Sequence, residues 1–386
     1  MVGAIQQQTK SAGVQAVRKR HTGEVVYLYA YDVAYEMSRE PIVQLLGQPV
    51  EPFQVDDDKR IPRHQLFYRP QMVRLPAVER VGPHGPLKME REVKVLPVGA
   101  ISITIRVPFE VERIEELVVY HDLQLNSGAL NDEVRHLAEL VRGALEPFCV
   151  RPVAQLQDEE AYTVFCLETP LSDDDGCNIT AESWLKSHRR EIAALLTQES
   201  DTEQLSLQEV EESTGRFLGY YRSDLVVIDW NAALILDEPE DFDETLYVME
   251  LANLQLAELE AYDRMLDQAL ERSYRDVLRR SRRRRSSVLK EVKELRIDLA
   301  RLSDELSNIT KFFGDWHLAR VYESVAARFH LSDWHRAVDE KLKTLHDLYQ
   351  VLNHDQNNQW MLLLEVTIVL LFVIDLVMLF LGVKGR

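Results

Sequence analysis

The chain has 386 residues, of which 46% are hydrophobic and 28% are charged, a composition typical of a folded protein. Its formal net charge of −19 argues against general nucleic-acid binding, because phosphate contacts need a basic surface. The three cysteines are odd in number and lack CxxC spacing, so they argue against a disulfide framework or a zinc site. They predict free thiols in a reducing compartment: Cys149, Cys166 and Cys177.

Residues 1–22 are predicted to form a basic, disordered arm. Four basic residues occur there without an apolar run, so a secretory signal is not expected: Lys10, Arg18, Lys19 and Arg20. Val2 stands where N-myristoylation requires glycine, which excludes that pattern as well.

Residues 23–240 predict an α+β head with a partly antiparallel sheet, because strands and helices do not alternate regularly. Runs rich in β-formers predict strands at Val25–Ala30, Gln65–Tyr68, Met72–Leu75, Lys94–Val107, Tyr162–Leu167, Phe217–Tyr221 and Leu225–Leu236, the last broken near Asn231. Helical periodicity predicts helices at Val111–Leu123, Asn131–Leu145, Ala181–Leu196 and Ser206–Ser213. Loops are predicted at Gln48–Arg63 and Pro83–Pro86.

Residues 241–358 predict a helical stalk of three long helices. From Asp241 to Asn358 there is no proline, and Gly314 is the single glycine. A heptad seam with strict 4,3 spacing predicts coiled-coil packing, either within the chain or in a homo-oligomer: Val288, Val292, Leu295, Leu299, Leu302, Leu306 and Ile309. Similar apolar stripes lie in Thr245–Leu278 and at Val338, Leu342, Leu345, Tyr349 and Leu352.

Residues 360–383 predict a transmembrane anchor. A helix from Met361 to Val383 would be about 34 Å long, enough to cross a hydrocarbon core of about 30 Å. Two acids interrupt the segment, Glu365 and Asp375. Acids in a span usually face a protein partner, so Asp375 is expected at an oligomer interface or against a partner helix, although simple tolerance is an alternative.

Seven arginines within eleven residues form the strongest basic cluster, and we call them the arginine cluster: Arg275, Arg279, Arg280, Arg282, Arg283, Arg284 and Arg285. In a chain of net −19 such a cluster predicts a phosphate-binding surface, with anionic lipid favoured over nucleic acid because no aromatics are interleaved. A solvated junction between two helices is the alternative.

No catalytic, cofactor or metal motif is apparent in the sequence. The acidic triplets Asp56–Asp58 and Asp173–Asp175 lack calcium-loop spacing and predict solvated turns. The adjacent pairs His121–Asp122 and His354–Asp355 have no partner at catalytic spacing. We therefore expect no cofactor, no metal and no catalytic residues.

The C-terminal residues resemble the "required for meiotic nuclear division" (Rmd/Sif/YagE-like) family. The resemblance rests on RVYESVAARFHLSDWHRAVDEKLKTLHDLYQVL (Arg320–Leu352) and LLEVTIVLLFVIDLV (Leu363–Val377), with Glu365 and Asp375 at the family's ten-residue separation. Val366 replaces the usual tryptophan. The resemblance implies an N-terminal α/β region, a helical region and one anchor, and a tethering or organising role without known catalytic residues.

The sequence thus predicts a tail-anchored, single-pass membrane protein that acts as a scaffold or tether and forms homo-oligomers or binds a partner membrane protein. Its bulk is expected in the cytoplasm at a bacterial inner membrane, or on the matrix side of the mitochondrial inner membrane. The charges flanking the span favour the opposite orientation, but only weakly. Two alternatives remain, an enzyme or ligand-binding head and a membrane-associated factor linked to RNA or ribosomes.

Overall fold

The structure is a computed structural model that describes residues 20–38, 40–53, 70–171, 178–279, 297 and 316–382. Within the helices, the side chains of 276–279, 349, 351–360 and 381 are not among those described. Several predictions therefore lie outside the described residues, including the seam Val288–Ile309, Arg280 and Arg282–Arg285, Cys177, the strand Gln65–Tyr68 and both acidic triplets.

The described strands occupy mainly the first 240 residues. In chain order they are β1 (His21–Asp32), β2 (Ala34–Met37), β3 (Gln44–Leu45), β4 (Gln48–Pro49), β5 (Glu51–Pro52), β6 (Gln71–Gly82), β7 (Gly85–Val95), β8 (Ala100–Val111), β9 (Gln124–Leu125), β10 (Gly128–Ala129), β11 (Cys149–Pro152), β12 (Glu160–Glu168), β13 (Phe217–Leu218), β14 (Leu225–Ile228) and β15 (Ala232–Asp237).

The helices lie between these strands and beyond them. They are α1 (Leu130–Leu145), α2 (Ala181–Ser187), α3 (Arg189–Leu196), α4 (Leu207–Thr214), α5 (Phe242–Arg279), α6 (Trp316–Arg328) and α7 (Leu331–Gly382). Short 3-10 helices occupy Ile114–Tyr120, Glu146–Phe148 and Thr202–Gln204.

Most strands join one large sheet with the order β13-β14-β15-β12-β1-β8-β7-β6-β5. Every neighbouring pair in it is antiparallel except β12 and β15, which run parallel. This agrees with the predicted α+β region and its partly antiparallel sheet. The connection from β12 to β15 carries α2, α3 and α4, as parallel pairing requires a long crossover.

The sequence run predicted as one strand at Lys94–Val107 is two strands joined by a tight turn at Leu96–Gly99. Gly99 has a φ of +93°, and a Cβ there would clash with the carbonyl oxygen of Ala34. Only glycine fits this turn without moving the backbone. The largely apolar pattern concealed the turn, although Pro97 and Gly99 were signals for it.

The first face of the sheet packs against α1, α2, α3 and the 3-10 helix Ile114–Tyr120 in one large apolar cluster. Helix α1 shows why: its buried residues recur three and four positions apart, at Leu130, Val134, Leu137, Ala138, Val141 and Leu145. Acidic residues in its first turn and Arg142 in its last suit the helix dipole.

The second face packs against α5, α6 and α7. Buried side chains of β1, β12, β14 and β15 join those of the three helices in a second cluster, for example Val164, Ile235, Leu259, Val321 and Val338. Strand β1 is therefore apolar on both faces, which explains its nearly continuous hydrophobic run. The structure thus has three layers, with the sheet in the middle.

The helical region differs from a simple stalk. Helices α5 and α7 are long, with 38 and 52 residues, but α5 begins on the sheet and is part of its packing. The described residues include no long coiled coil, and the predicted seam stays a prediction. The predicted helix at 181–196 is two helices, because His188 departs from helical geometry with φ −113° and ψ 25°.

We expect the packing of α5 on the sheet to contribute strongly to stability. Leu259 is completely buried between the helices and the sheet, so Leu259→Ala should cost about 2–5 kcal/mol by leaving a cavity. Leu207 is 78% exposed, so Leu207→Ala should change stability by less than about 0.5 kcal/mol. Thermal unfolding of both variants in detergent tests this, and equal midpoints would contradict the described packing.

Candidate functional site

The second face of the sheet changes character from apolar to charged at strands β6, β7 and β8. Ser102, Thr104 and Arg106 alternate in β8 with buried isoleucines, and they pair with Lys94, Glu92 and Glu90 of β7. Arg74 of β6 lies opposite Glu92. Because side chains alternate across a strand, all of these residues point to the face on which α5 lies.

Two adjoining clefts lie between this charged face and the first turns of α5. Their volumes are about 430 and 180 Å³, and both are lined by Arg74, Glu92, Thr104, Arg106 and Asp243. The smaller cleft also reaches Lys94 and Glu250. We call this set of residues the charged cleft.

Lys94 forms the most buried ion pair in the cleft. Its Nζ lies 2.6 Å from Oε2 of Glu250 on α5 and 3.1 Å from Oε1 of Glu92, and only 9% of the lysine side chain is exposed. Burial alone would lower the pKa of Lys94, but the two carboxylates outweigh it and raise the pKa above its usual value. The lysine is therefore fully charged and joins β7 to α5.

Arg106 forms the second link between the sheet and α5. Its guanidinium donates to Glu24 of β1 at 2.9 Å and to Asp243 in the first turn of α5. Burial opposes the charge, but Glu24 and Asp243 together raise the pKa of Arg106 further. Two buried or half-buried cations thus hold the start of α5 on the sheet.

The charged side chains of the cleft bind mainly to one another. Lys94 and Arg106 already bind carboxylates, and Arg74 lies 3.7 Å from Glu92, so an anionic ligand would have to displace acids. The hydroxyl of Thr104 is buried without a hydrogen-bond partner. No group of three His, Cys, Asp or Glu side chains suited to a metal ion occurs among the described residues. The cleft therefore acts as a charged clamp for α5.

Sequence reasoning missed the charged cleft, although a signal was present. The polar residues Ser102, Thr104 and Arg106 alternate with isoleucines, and Glu90, Glu92 and Lys94 alternate likewise in β7. A period of two with charge on one face indicates a strand whose second face is polar. The acids on α5 that complete the cleft come more than 130 residues later, and periodicity cannot pair such distant segments.

Beyond the charged cleft, α5 and α7 run in the same direction. Near the sheet, the side chain of Asn253 on α5 donates a hydrogen bond to the backbone oxygen of Leu28. Leu28 is paired with Tyr162 on the neighbouring strand. The ring of Tyr162 packs against that of Phe329, just before α7, with 4.9 Å between the ring centroids. Further on, Lys341 of α7 lies 2.7 Å from both Asp263 and Asp267. From the contact near the sheet to the contact at Lys341, each chain moves forward by about 12 residues, or about 18 Å of helix. Because both chains move away from the sheet as the residue number rises, α5 and α7 are parallel.

Helix α7 contains one candidate membrane-spanning segment, Met361–Phe380, with a mean hydropathy of 2.7 and none of it buried. The predicted acids Glu365 and Asp375 lie on this segment and are exposed. Along α7, about 30 Å of helix separates Lys341 from Met361. Along α5, about 22 Å separates Arg264 from Arg279, where the described helix ends.

The other predicted residues are placed as follows. Arg275 is exposed and forms an ion pair of 3.1 Å with Glu271, and Arg279 is the last residue of α5. Val338, Leu342 and Leu345 are buried as their spacing predicts. Cys149 and Cys166 are free thiols, as predicted. His121 bonds the carbonyl oxygen of Leu195 at 2.6 Å and lies in the apolar layer of the first face.

We expect Glu250→Leu to destabilise the protein by about 3 kcal/mol, because it leaves the buried Lys94 with one partner fewer. The double variant Glu250→Leu, Lys94→Met should regain most of the lost stability, because an apolar pair of similar size replaces the ion pair. Lys186→Met is the control, because the Lys186–Glu182 pair is exposed and should contribute at most about 0.5 kcal/mol. Thermal midpoints in detergent measure all three, and an unaffected Glu250→Leu variant would contradict the clamp.

Comparisons with known proteins identify the part of the chain that contains the sheet. The family model "Uncharacterized protein MJ0711, N-terminal domain" matches residues 22–243. The uncharacterized protein MJ0711 of Methanocaldococcus jannaschii is 28% identical over 222 residues, which cover 57% of this chain and 65% of that protein. The chain thus spans less than two thirds of the length of this curated relative. No solved structure matches the chain.

These matches correct the resemblance inferred from the sequence. The resemblance to the "required for meiotic nuclear division" family is wrong, because the matched family is a different one and nothing in the comparisons points to the Rmd/Sif/YagE-like proteins. The error arose from short helical and membrane-segment patterns, which many unrelated proteins share. The match runs from β1 to the first turn of α5 and covers more than half of the residues, so the chain belongs to the family of the MJ0711 N-terminal domain.

Proposed function

We propose that the protein is a single-pass, membrane-anchored scaffold or tether whose sheet lies in the cytoplasm. The observation that carries this proposal is the segment Met361–Phe380, an apolar helix with no buried part, which continues from a helix rooted on the sheet. An apolar surface of this size is costly in water and stable in lipid. The matched family is uncharacterised and supplies no activity.

The parallel direction of α5 and α7 supports a second element of the proposal, a contact with anionic lipid. If both helices keep their rise, Arg279 would lie within about 10 Å of the level of Met361 along the helix axes. The remaining arginines of the cluster follow Arg279 directly in sequence and lie outside the described residues. Their charge would meet lipid phosphates at the surface, while the acidic remainder of the chain is repelled from it.

The third element of the proposal is oligomerisation through the span. Asp375 has no basic residue near it within Met361–Phe380, and an isolated acid in a span is costly unless it finds a partner. A second copy would supply one, because an interface between two spans would remove both Asp375 side chains from lipid. The predicted seam Val288–Ile309 would act in the same direction.

We expect the full-length protein to remain in the membrane pellet after alkaline carbonate washing. Replacing Leu370, Leu371 and Ile374 by lysine should release it, because each lysine costs about 3 kcal/mol near the centre of a span. The matched control replaces the same three residues by alanine and should stay in the pellet. Release of the unaltered protein would exclude membrane anchoring.

We expect the arginine cluster to bind anionic lipid. The test uses full-length protein in nanodiscs made of neutral lipid, with and without phosphatidylserine, and measures protection of Arg275 and Arg279 from an arginine-modifying reagent. Protection should rise with phosphatidylserine and fall at high salt, because surface electrostatics is screened. Arg113 is the internal control, because it is exposed and lies just after β8. That end of the sheet is opposite to the end at which Glu160 lies, so the modification of Arg113 should not depend on the lipid. Identical modification of the cluster in both lipids would refute lipid contact.

A further inference from the structure

A second polar contact between α5 and the sheet contains more acids than bases. Asp32 ends β1, Glu160 begins β12, and both lie at the same end of neighbouring strands. Helix α5 brings Glu260 and Arg264 to this position, one turn apart, with Arg264 Nη1 3.3 Å from Glu260 Oε2. Arg264 therefore pairs with Glu260, and its charge also acts on Asp32 and Glu160.

The carboxyl groups of Glu160 and Glu260 are direct neighbours. They lie within hydrogen-bond reach of each other, and such a bond requires a proton because two ionised carboxylates cannot form one. Arg264 acts on both Glu160 and Asp32, so its single charge is divided among the acids. In this arrangement one proton holds the Glu160–Glu260 contact together.

The surrounding charges do not relieve the excess. Glu159 lies just before β12, and its carboxylate adds repulsion, although Arg135 of α1 binds it at 3.2 Å. On α5, Asp263 and Asp267 are engaged by Lys341 of α7 at 2.7 Å. Arg264 is thus the cation that faces the three acids among the described residues.

We propose that the Glu160–Glu260 pair, with Asp32 and Arg264 beside it, is a proton-dependent latch that fastens the middle of α5 to the sheet. With one proton shared, the helix lies on the strand ends. When both carboxyls are ionised, repulsion loosens this part of α5, while the charged cleft still holds its first turns.

The pKa values of the acids give the pH range over which the latch opens. Burial, the hydrogen bond to Glu260 and the nearby negative charge raise the pKa of Glu160 from 4.5 to about 8. Burial raises the pKa of Asp32 to about 6, although Arg264 opposes it. The docked state therefore holds protons that the undocked state releases between about pH 4.5 and 8, and docking weakens as pH rises through that range.

Hydrogen–deuterium exchange of full-length protein in nanodiscs tests the latch. The amide exchange rate of peptides covering residues 253–267 is measured for the unaltered protein and for Glu160→Gln at each pH from about 6 to 9. Taking the ratio of the two rates at each pH cancels the intrinsic pH dependence of exchange. The glutamine can donate to Glu260 without carrying charge. The exchange rate of the unaltered protein relative to Glu160→Gln should rise on the order of a hundredfold across this range.

Two further variants make the result decisive. Glu260→Gln removes the other half of the pair and should abolish the pH dependence in the same way, so it also serves if Glu160→Gln does not fold. Glu271→Gln is the control, because Glu271 lies on α5 but pairs with exposed Arg275, and it should keep the original pH profile. A constant exchange ratio across the pH range for both pair variants would overturn the latch. The outcome is independent of whether Met361–Phe380 crosses a membrane.

Discussion

The attachment of helix α5 to the second face of the sheet is the constraint on which the rest of the structure depends. Its first turns are held by Lys94 and Arg106, its middle covers the apolar half of the sheet, and its far part leaves the sheet beside α7. The buried Lys94–Glu250 pair fixes the direction of α5 better than apolar contact does, because separating a buried charge from its partner is costly. The direction of α5 in turn sets which residues approach the apolar end of α7.

This attachment joins two regions that the sequence presents as separate. The family match ends in the first turn of α5, so the sheet belongs to a shared domain, while the helices that cover its second face lie mostly beyond the match. Even so, Leu259, Val321 and Leu345 are as deeply buried as the strand residues beneath them. The candidate membrane-spanning segment Met361–Phe380 belongs to α7, whose first part packs on the sheet.

Local patterns predicted local structure well. Amphipathic spacing located α1 and most of α5, runs rich in β-formers located β1, β12, β14 and β15, and hydropathy located the candidate span. Pairing between distant segments was not accessible: Lys94 and Glu250 are each ordinary charged residues until the fold brings them together at 2.6 Å. The parallel β12–β15 pair and the Glu160–Glu260 contact were missed for the same reason, because each joins segments far apart in sequence. The family resemblance failed because patterns of apolar spacing are shared by unrelated membrane proteins.

The most direct test of the account is the distance between the far parts of α5 and α7. Spin labels at Arg275 and Gln350, both exposed, can be measured by double electron–electron resonance in nanodiscs. Parallel helices in the register set by Lys341 with Asp263 and Asp267 predict a separation below about 20 Å. A separation above about 30 Å, as antiparallel helices would give, would contradict the alignment that brings the end of α5 toward the level of Met361.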